Sequence, residues 1–270
     1  MPKLNYILES RVSQHYQPIV DMNTLELVRY EALIRPIGFS KDTGSIVRQI
    51  ESSGNIRELD LWSISKAIEK IEREGRKIEI AVNLSAKSLC DPVFYNEVEW
   101  ILDKKKNNTN IGFEITETEP ISDIKTARKF IEMIRLKGCS IGLDDFGVGI
   151  STFSVAESLL LDYIKISSRL TTAVLSNHKA RSIVDRLVNN ASIMGIPLVA
   201  EHIDNLDQFM WLKDSGIQDG QGWLFGAAKK DIKDSHVFSI EGDSKKSGVT
   251  SIGKIMSKKK YEKEIFSLTS

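Results

Sequence analysis

The sequence predicts an α/β fold: a modified (β/α)8, TIM-like barrel whose first strand runs antiparallel to the next. Three observations carry this. Short apolar, β-rich runs alternate with longer segments of helical spacing across most of the 270 residues, which implies parallel strands joined by crossover helices. Seven or eight such strands fall within about 225 residues, a density that suits one closed barrel better than two open sheets. The first two runs are joined only by "DMNTLE" (21–26), too short for a helical crossover, so the barrel starts with an antiparallel pair.

The strands read, in order, as "HYQPIV" (15–20), "LVRYEALIRP" (27–36), "KIEIAVNLS" (77–85), "NIGFEITE" (110–117), "SIGLDDF" (140–146), "YIKIS" (163–167), "PLVAEHI" (197–203) and "QGWLFG" (221–226). Helical spacing is clearest over 56–75, where Leu59, Trp62, Ile64, Ala67, Ile68 and Ile71 recur on one side, and again over 123–138 and 178–195. Gly75, Gly138 and Gly195 stand where those helices should stop. From about residue 230 the pattern dissolves. Residues 1–230 are read as the barrel and 231–270 as a Lys/Ser-rich extension, expected to be flexible. Residues 244–270 hold seven Lys and two Glu, a net of +5, which suits either a solvated terminus or a contact surface for a protein partner.

Lys plus Arg and Asp plus Glu both number 37, so the formal net charge is zero. That balance gives no overall pull toward DNA or a membrane surface. No run of about 18 uninterrupted apolar residues is present, and the N-terminal stretch lacks a signal-peptide layout. With only Cys90 and Cys139, a disulfide framework is not expected, and a reducing cytoplasm is the natural setting.

In a parallel barrel, functional side chains gather at the C-terminal ends of the strands. Here Glu31, Asn83, Glu114, the adjacent Asp144 and Asp145, Lys165 and Glu201 sit within or end successive apolar runs, and Gln221 opens the last. Polar groups in such runs are costly to desolvate unless partners are supplied. Singly, Glu31 or Glu114 reads as a salt-bridged barrel residue, Asp145 as a turn cap and Lys165 as a buried counter-ion. Together, four or five acids against one Lys call for extra positive charge, and oxygen ligands of this type suit Mg2+ or Mn2+. His15, His178, His202 and His236 are scattered, with no zinc-like spacing.

These residues also spell a family. "YEALIRP", "AVNLSAKSL", "FEITETEP", "LDDFGVGIS", "YIKIS", "VAEHID" and "QGWLFG" occur in the order seen in EAL domains, the bacterial cyclic di-GMP-specific phosphodiesterases, and the resemblance covers roughly residues 10–230. It implies a free-standing, homodimeric EAL protein that cleaves cyclic di-GMP to linear pGpG, lowering the messenger and favouring motility over biofilm. By position, Glu31, Asn83, Glu114 and Asp144 match the ligands of a first metal, with Asp144 bridging to a second held with Asp145. Lys165 matches a lysine beside the hydrolytic water, Glu201 a general base or second-metal support, and Gln221 a water-positioning residue. Glu117 corresponds to the glutamate bracing the loop after the paired aspartates, and Gln17 and Arg35 to substrate contacts.

The sequence departs from the family at that loop, where Val148, Ile150 and Thr152-Phe153 replace Thr, an aromatic and Ser-Leu. Ser167, Asp204, Trp223 and Ala227-Ala228 depart as well. A loop held less firmly, with weaker binding of the second metal, is the expectation. Two other functions remain open: a weakly active or inactive member acting as a cyclic di-GMP sensor or protein-binding regulator, and an unrelated barrel hydrolase.

Overall fold

Eight strands close into a barrel in which each neighbours the next in sequence and the last returns to the first. The computed structural model describes residues 12–38, 43–106, 109–116, 121–147 and 153–232. The strands are β1 (Val12–Asp21), β2 (Leu27–Pro36), β3 (Glu79–Leu84), β4 (Asn110–Thr116), β5 (Ser140–Phe146), β6 (Tyr163–Ile166), β7 (Leu198–Ala200) and β8 (Asp219–Gln221). β1 pairs antiparallel with both β2 and β8, and every other pairing is parallel. The short link after β1 dictates this reversal: Asp21 Oδ1 accepts from Asn23 N and Thr24 N, both at 2.7 Å, folding the chain straight back.

The outer layer comprises α1 (Thr43–Ser52), α2 (Ile56–Glu74), α3 (Ala86–Leu89), α4 (Pro92–Lys104), α5 (Ile124–Leu136), α6 (Phe153–Leu159), α7 (Ser168–Ala173), α8 (His178–Met194) and α9 (Leu206–Asp214). α2, α5 and α8 match the three segments of helical spacing. Gly75 and Gly195 end α2 and α8 at φ 66° and 68°, a left-handed conformation that glycine adopts without a Cβ clash. α4 and α9 are additional to those segments, although each carries a start signal. Asp91 accepts from Val93 N at 2.8 Å ahead of Pro92, and Asn205 from Gln208 N at 2.9 Å.

The main core lies between the sheet and the helices. Ala127, Phe130, Ile131 and Ile134 form the buried stripe of α5, and Phe130 meets Phe94 and Phe113 at ring-centroid distances of 5.7 and 6.1 Å. Full burial of a ring like Phe130 contributes about 1.5–3 kcal/mol. The barrel interior differs, with a small apolar cluster of Ile19, Tyr163 and Val199 and mostly polar side chains above it.

The last strand corrects the sequence reading. Gln221 ends β8 rather than opening it, and 222–226 forms turns instead of a strand. Ile203 N donates to Gln221 O and Leu224 N to Ile203 O, both at 3.0 Å, so the chain folds across the segment after β7 instead of extending the ladder. Gly222 permits this, because a Cβ there would lie 2.1 Å from Ile203 O. β7 is likewise shorter than its apolar run. Both cysteines are free thiols. Among the described residues, no helix is long and apolar enough to cross a membrane. Glu117, positions 148–152 of the altered loop and the lysine-rich extension from 233 onward lie outside the described residues.

Candidate active site

Strand register assembles the site. Gln17 faces Glu31 across β1 and β2, Asn83 faces Glu114 across β3 and β4, and Asp144 pairs with Thr116 at the end of β4. Strict alternation along β5 would send Asp144 and Asp145 to opposite faces. The β5–β6 register shifts between Leu143 and Phe146, and Asp145 takes a left-handed φ of 58°. That irregularity lets both aspartates line one cleft of about 510 Å³ at the barrel mouth, together with Gln17, Glu31, Asn83 and Glu201. Arg35 also lines it, with one guanidinium nitrogen donating to Ile34 O at 3.1 Å.

Lys165 is fully buried at the centre. Its Nζ lies 3.1 Å from Glu31 Oε2, 3.0 Å from Glu114 Oε2, 2.9 Å from Asp144 Oδ1 and 3.1 Å from Glu201 Oε1. Glu31 is the best-satisfied acid: Asn83 Nδ2 donates to its Oε1 at 2.8 Å and Gln221 Nε2 to its Oε2 at 2.7 Å. Gln221 Nε2 also reaches Gln17 Oε1 at 3.3 Å, and Gln17 Nε2 donates to Gly226 O at 3.1 Å.

The environment splits the acids. Burial alone would raise the Glu31 carboxyl, but Lys165 and the hydrogen bonds from Gln221 and Asn83 outweigh it and hold Glu31 below the usual range. Glu114 is pushed up to about 7, by burial first and then by repulsion from Glu31 and Asp144, against the pull of Lys165. Glu201 is driven well upward by burial, with Asp144, Glu31 and Asp145 adding to it. Burial works against the Lys165 charge, yet Asp144, Glu114, Glu31 and Glu201 hold its pKa well above the usual value. Four acids surround one ammonium, and the raised Glu114 and Glu201 show that this single positive charge does not satisfy them all.

A divalent cation fits this donor set. Glu31, Glu114 and Asp144 each offer an oxygen, all within 4.8 Å of one another. Asp144 Oδ1 is buried and, although close to Lys165, lies off any hydrogen-bond direction, so it has no hydrogen-bond donor. Carboxylate and amide oxygens are the ligands hard cations prefer. Asp145 lines the same cleft but is not among those three clustered acids.

A family model described as the EAL domain matches residues 4–228. The chain belongs to the EAL domain family. This EAL domain is 30% identical over 233 residues to an uncharacterized protein of Azorhizobium caulinodans, covering 81% of this chain and 31% of that one. It is 29% identical over 234 residues to PdeB of Escherichia coli (strain K12), named a probable cyclic di-GMP phosphodiesterase, covering 84% and 44%. The chain thus spans less than half the length of these curated relatives. Among solved structures, the PaMucR phosphodiesterase in complex with c-di-GMP superposes with a TM-score of 0.74 at 23% identity, over 85% of this chain and 98% of that one. That likeness shows the fold. Klebsiella pneumoniae BlrP1, in a complex with calcium and c-di-GMP, matches with a TM-score of 0.71 at 26% identity, over 83% and 57%.

Residues that the sequence did not place at the site complete the EAL domain's cleft. Ser168, His202 and Trp223 line it, and Trp223 N donates to Asp204 Oδ1 at 3.2 Å, so two of the family departures touch each other. His202 holds a left-handed φ of 52°, and Gln208 Nε2 donates to its carbonyl at 2.7 Å. Beneath the acids, Tyr163 OH donates to Glu114 Oε1 at 2.8 Å. Its signal was positional, since it lies two residues before Lys165 and therefore on the same strand face.

Proposed function

We propose that this chain hydrolyses one phosphodiester of cyclic di-GMP to linear pGpG, with Mg2+ or Mn2+ as cofactor, and so favours motility over biofilm. The observation that carries the reading is the convergence of Glu31, Asn83, Glu114, Asp144, Lys165 and Glu201 at one barrel mouth with acids in excess. Membership of the EAL family and the names of relatives such as PdeB support the choice of substrate.

Glu31, Asn83, Glu114 and Asp144 would hold the first metal, and Asp144 with Asp145 a second. Such ions polarise a phosphoryl oxygen and lower the pKa of bound water. The chain's own groups do the rest. Arg35, on the cleft wall, offers a planar fork of donors suited to a phosphate, and Gln17, lining the same cleft, contacts substrate. Lys165 places a fixed positive charge where negative charge develops. Glu201, exposed to the cleft beside Lys165, receives the proton of the attacking water. Gln221 Oε1 lacks a protein partner and is free to orient that water. Glu117, outside the described residues, would by the family resemblance brace the loop after the paired aspartates. The cytoplasmic homodimer is part of this reading.

The substitutions at 148, 150, 152 and 153 favour one second reading, a member that binds cyclic di-GMP without turning it over. Incubating the purified chain with cyclic di-GMP and Mg2+ or Mn2+, and separating products by chromatography, distinguishes the two. Accumulation of pGpG is the expected result. Saturable binding with no product selects the second reading, and neither binding nor product overturns both.

A further inference from the structure

The site stands on a second polar storey inside the barrel. Tyr163 lies two residues before Lys165 on β6, Arg29 two before Glu31 on β2, Glu79 four before Asn83 on β3, and Ser140 four before Asp144 on β5. Period-two alternation therefore puts each on the same strand face as a residue of the site, one or two steps further down the barrel. These four are in contact. Ser140 Oγ donates to Glu79 Oε1 at 2.8 Å, and Glu79 Oε1 meets Arg29 Nη1 at 3.2 Å as an ion pair. That pair lies off hydrogen-bond direction, leaving Arg29 Nε and Nη1 without acceptors. The Arg29 guanidinium instead sits 3.9 Å from the centre of the Tyr163 ring. Tyr163, fully buried, spends its hydroxyl on Glu114.

The consequence falls on Glu114. Its Oε1 is taken by Tyr163 at 2.8 Å and its Oε2 meets Lys165 at 3.0 Å, so the carboxylate plane is fixed from both sides. Gly142, opposite Glu114 in the β4–β5 register, leaves the space the ring fills; a Cβ there would lie 2.3 Å from Tyr163 Cε2. The ring is thus confined by the strand beside it and clamped by Arg29.

We propose that Tyr163, clamped by Arg29, is a positioning residue that orients Glu114 and so sets the divalent-cation affinity of the site. This deepens the proposed function and rests on its metal reading. Groups that orient a ligand in this way change metal affinity about 10–100-fold when removed.

The test measures Mn2+ binding to the full chain by isothermal titration calorimetry, without substrate. Tyr163→Phe keeps the ring and its stacking and deletes only the donor. The expected result is a Kd for Mn2+ weakened about 10-fold or more, with an unchanged circular dichroism spectrum. Arg29→Lys keeps the charge facing Glu79 but loses the flat guanidinium, and should weaken Mn2+ binding by a smaller factor. Affinity within twofold of wild type in the folded variants overturns the proposal while leaving the metal site itself standing. A wild-type chain that binds no Mn2+ overturns the proposed function, and this inference with it.

Discussion

Lys165 Nζ lies 2.9 Å from Asp144 Oδ1, yet that oxygen receives no hydrogen bond. The pair is held by charge rather than by directed bonding, in a pocket where Glu31, Glu114 and Glu201 compete for the same ammonium. One lysine serves as counter-ion for three buried acids and the half-buried Glu201, and removing one partner of a buried ionic cluster is far costlier than the cluster's net worth.

Lys165→Met should therefore lower metal-free stability by about 3–5 kcal/mol, read by urea unfolding at neutral pH. Added Mn2+ should restore part of the loss by supplying the missing positive charge. Equal stability of variant and wild type in metal-free buffer would contradict this picture.

Glu31→Ala should cut turnover by more than the roughly 10–100-fold typical of groups that only orient a ligand. Relief of acid repulsion alone would raise its melting temperature. The hydrogen bonds reverse that sign, because Asn83, Gln221 and Lys165 all lose an acceptor. A folded pKa held below the unfolded value means Glu31 contributes stability above the unfolded pKa, lost as pH falls through the folded one. Metal-free Glu31→Ala should be about 1–3 kcal/mol less stable at pH 7, and a higher melting temperature would show the repulsion to dominate.

Asp219, at the base of the barrel, predicts the opposite pH behaviour. Burial pushes its carboxyl up to about 6, Arg29 pulling it down and Asp21 adding to the rise. A raised carboxyl pKa means the ionised form is disfavoured in the fold. The penalty is absent below the ordinary value of 3.8, grows as pH rises through the window up to about 6, and is complete above it. Asp219→Asn should therefore stabilise the chain by about 1–3 kcal/mol at pH 7.5 and by much less at pH 4. A pH-independent difference between the two proteins would remove Asp219 as its cause.

Gly142→Ala tests the tight fit against Tyr163. A methyl 2.3 Å from the ring must displace it or the strand, costing about 1–3 kcal/mol. Thermal unfolding reads the loss directly, and an unchanged melting temperature would mean that the ring moves freely.

Much of the barrel was legible because each strand is an apolar run between helical segments, and because the 21–26 link is too short for a helix. Most residues of the mouth were legible for a related reason, as a polar side chain in an apolar run advertises its cost. β8 was misread because "GWLF" has the composition of a strand, whereas its backbone crosses Ile203, burying Phe225 and leaving Trp223 exposed. Tyr163 and Arg29 were passed over because an aromatic in "YIKI" looks like ordinary core and an arginine in "LVRYEAL" like a solvated face. Only closure of the barrel turns both inward. The shared orientation of Asp144 and Asp145 likewise depends on a register shift that composition does not encode.

The most direct measurement is hydrolysis of cyclic di-GMP by the full chain in Mg2+ or Mn2+, in Ca2+, and in excess EDTA. The acid surplus around Lys165 predicts pGpG formation with Mg2+ or Mn2+. It predicts inhibition by Ca2+, whose looser coordination suits a tight oxygen clamp poorly, and no product in the chelator. Undiminished hydrolysis in excess EDTA would contradict the metal-dependent reading outright.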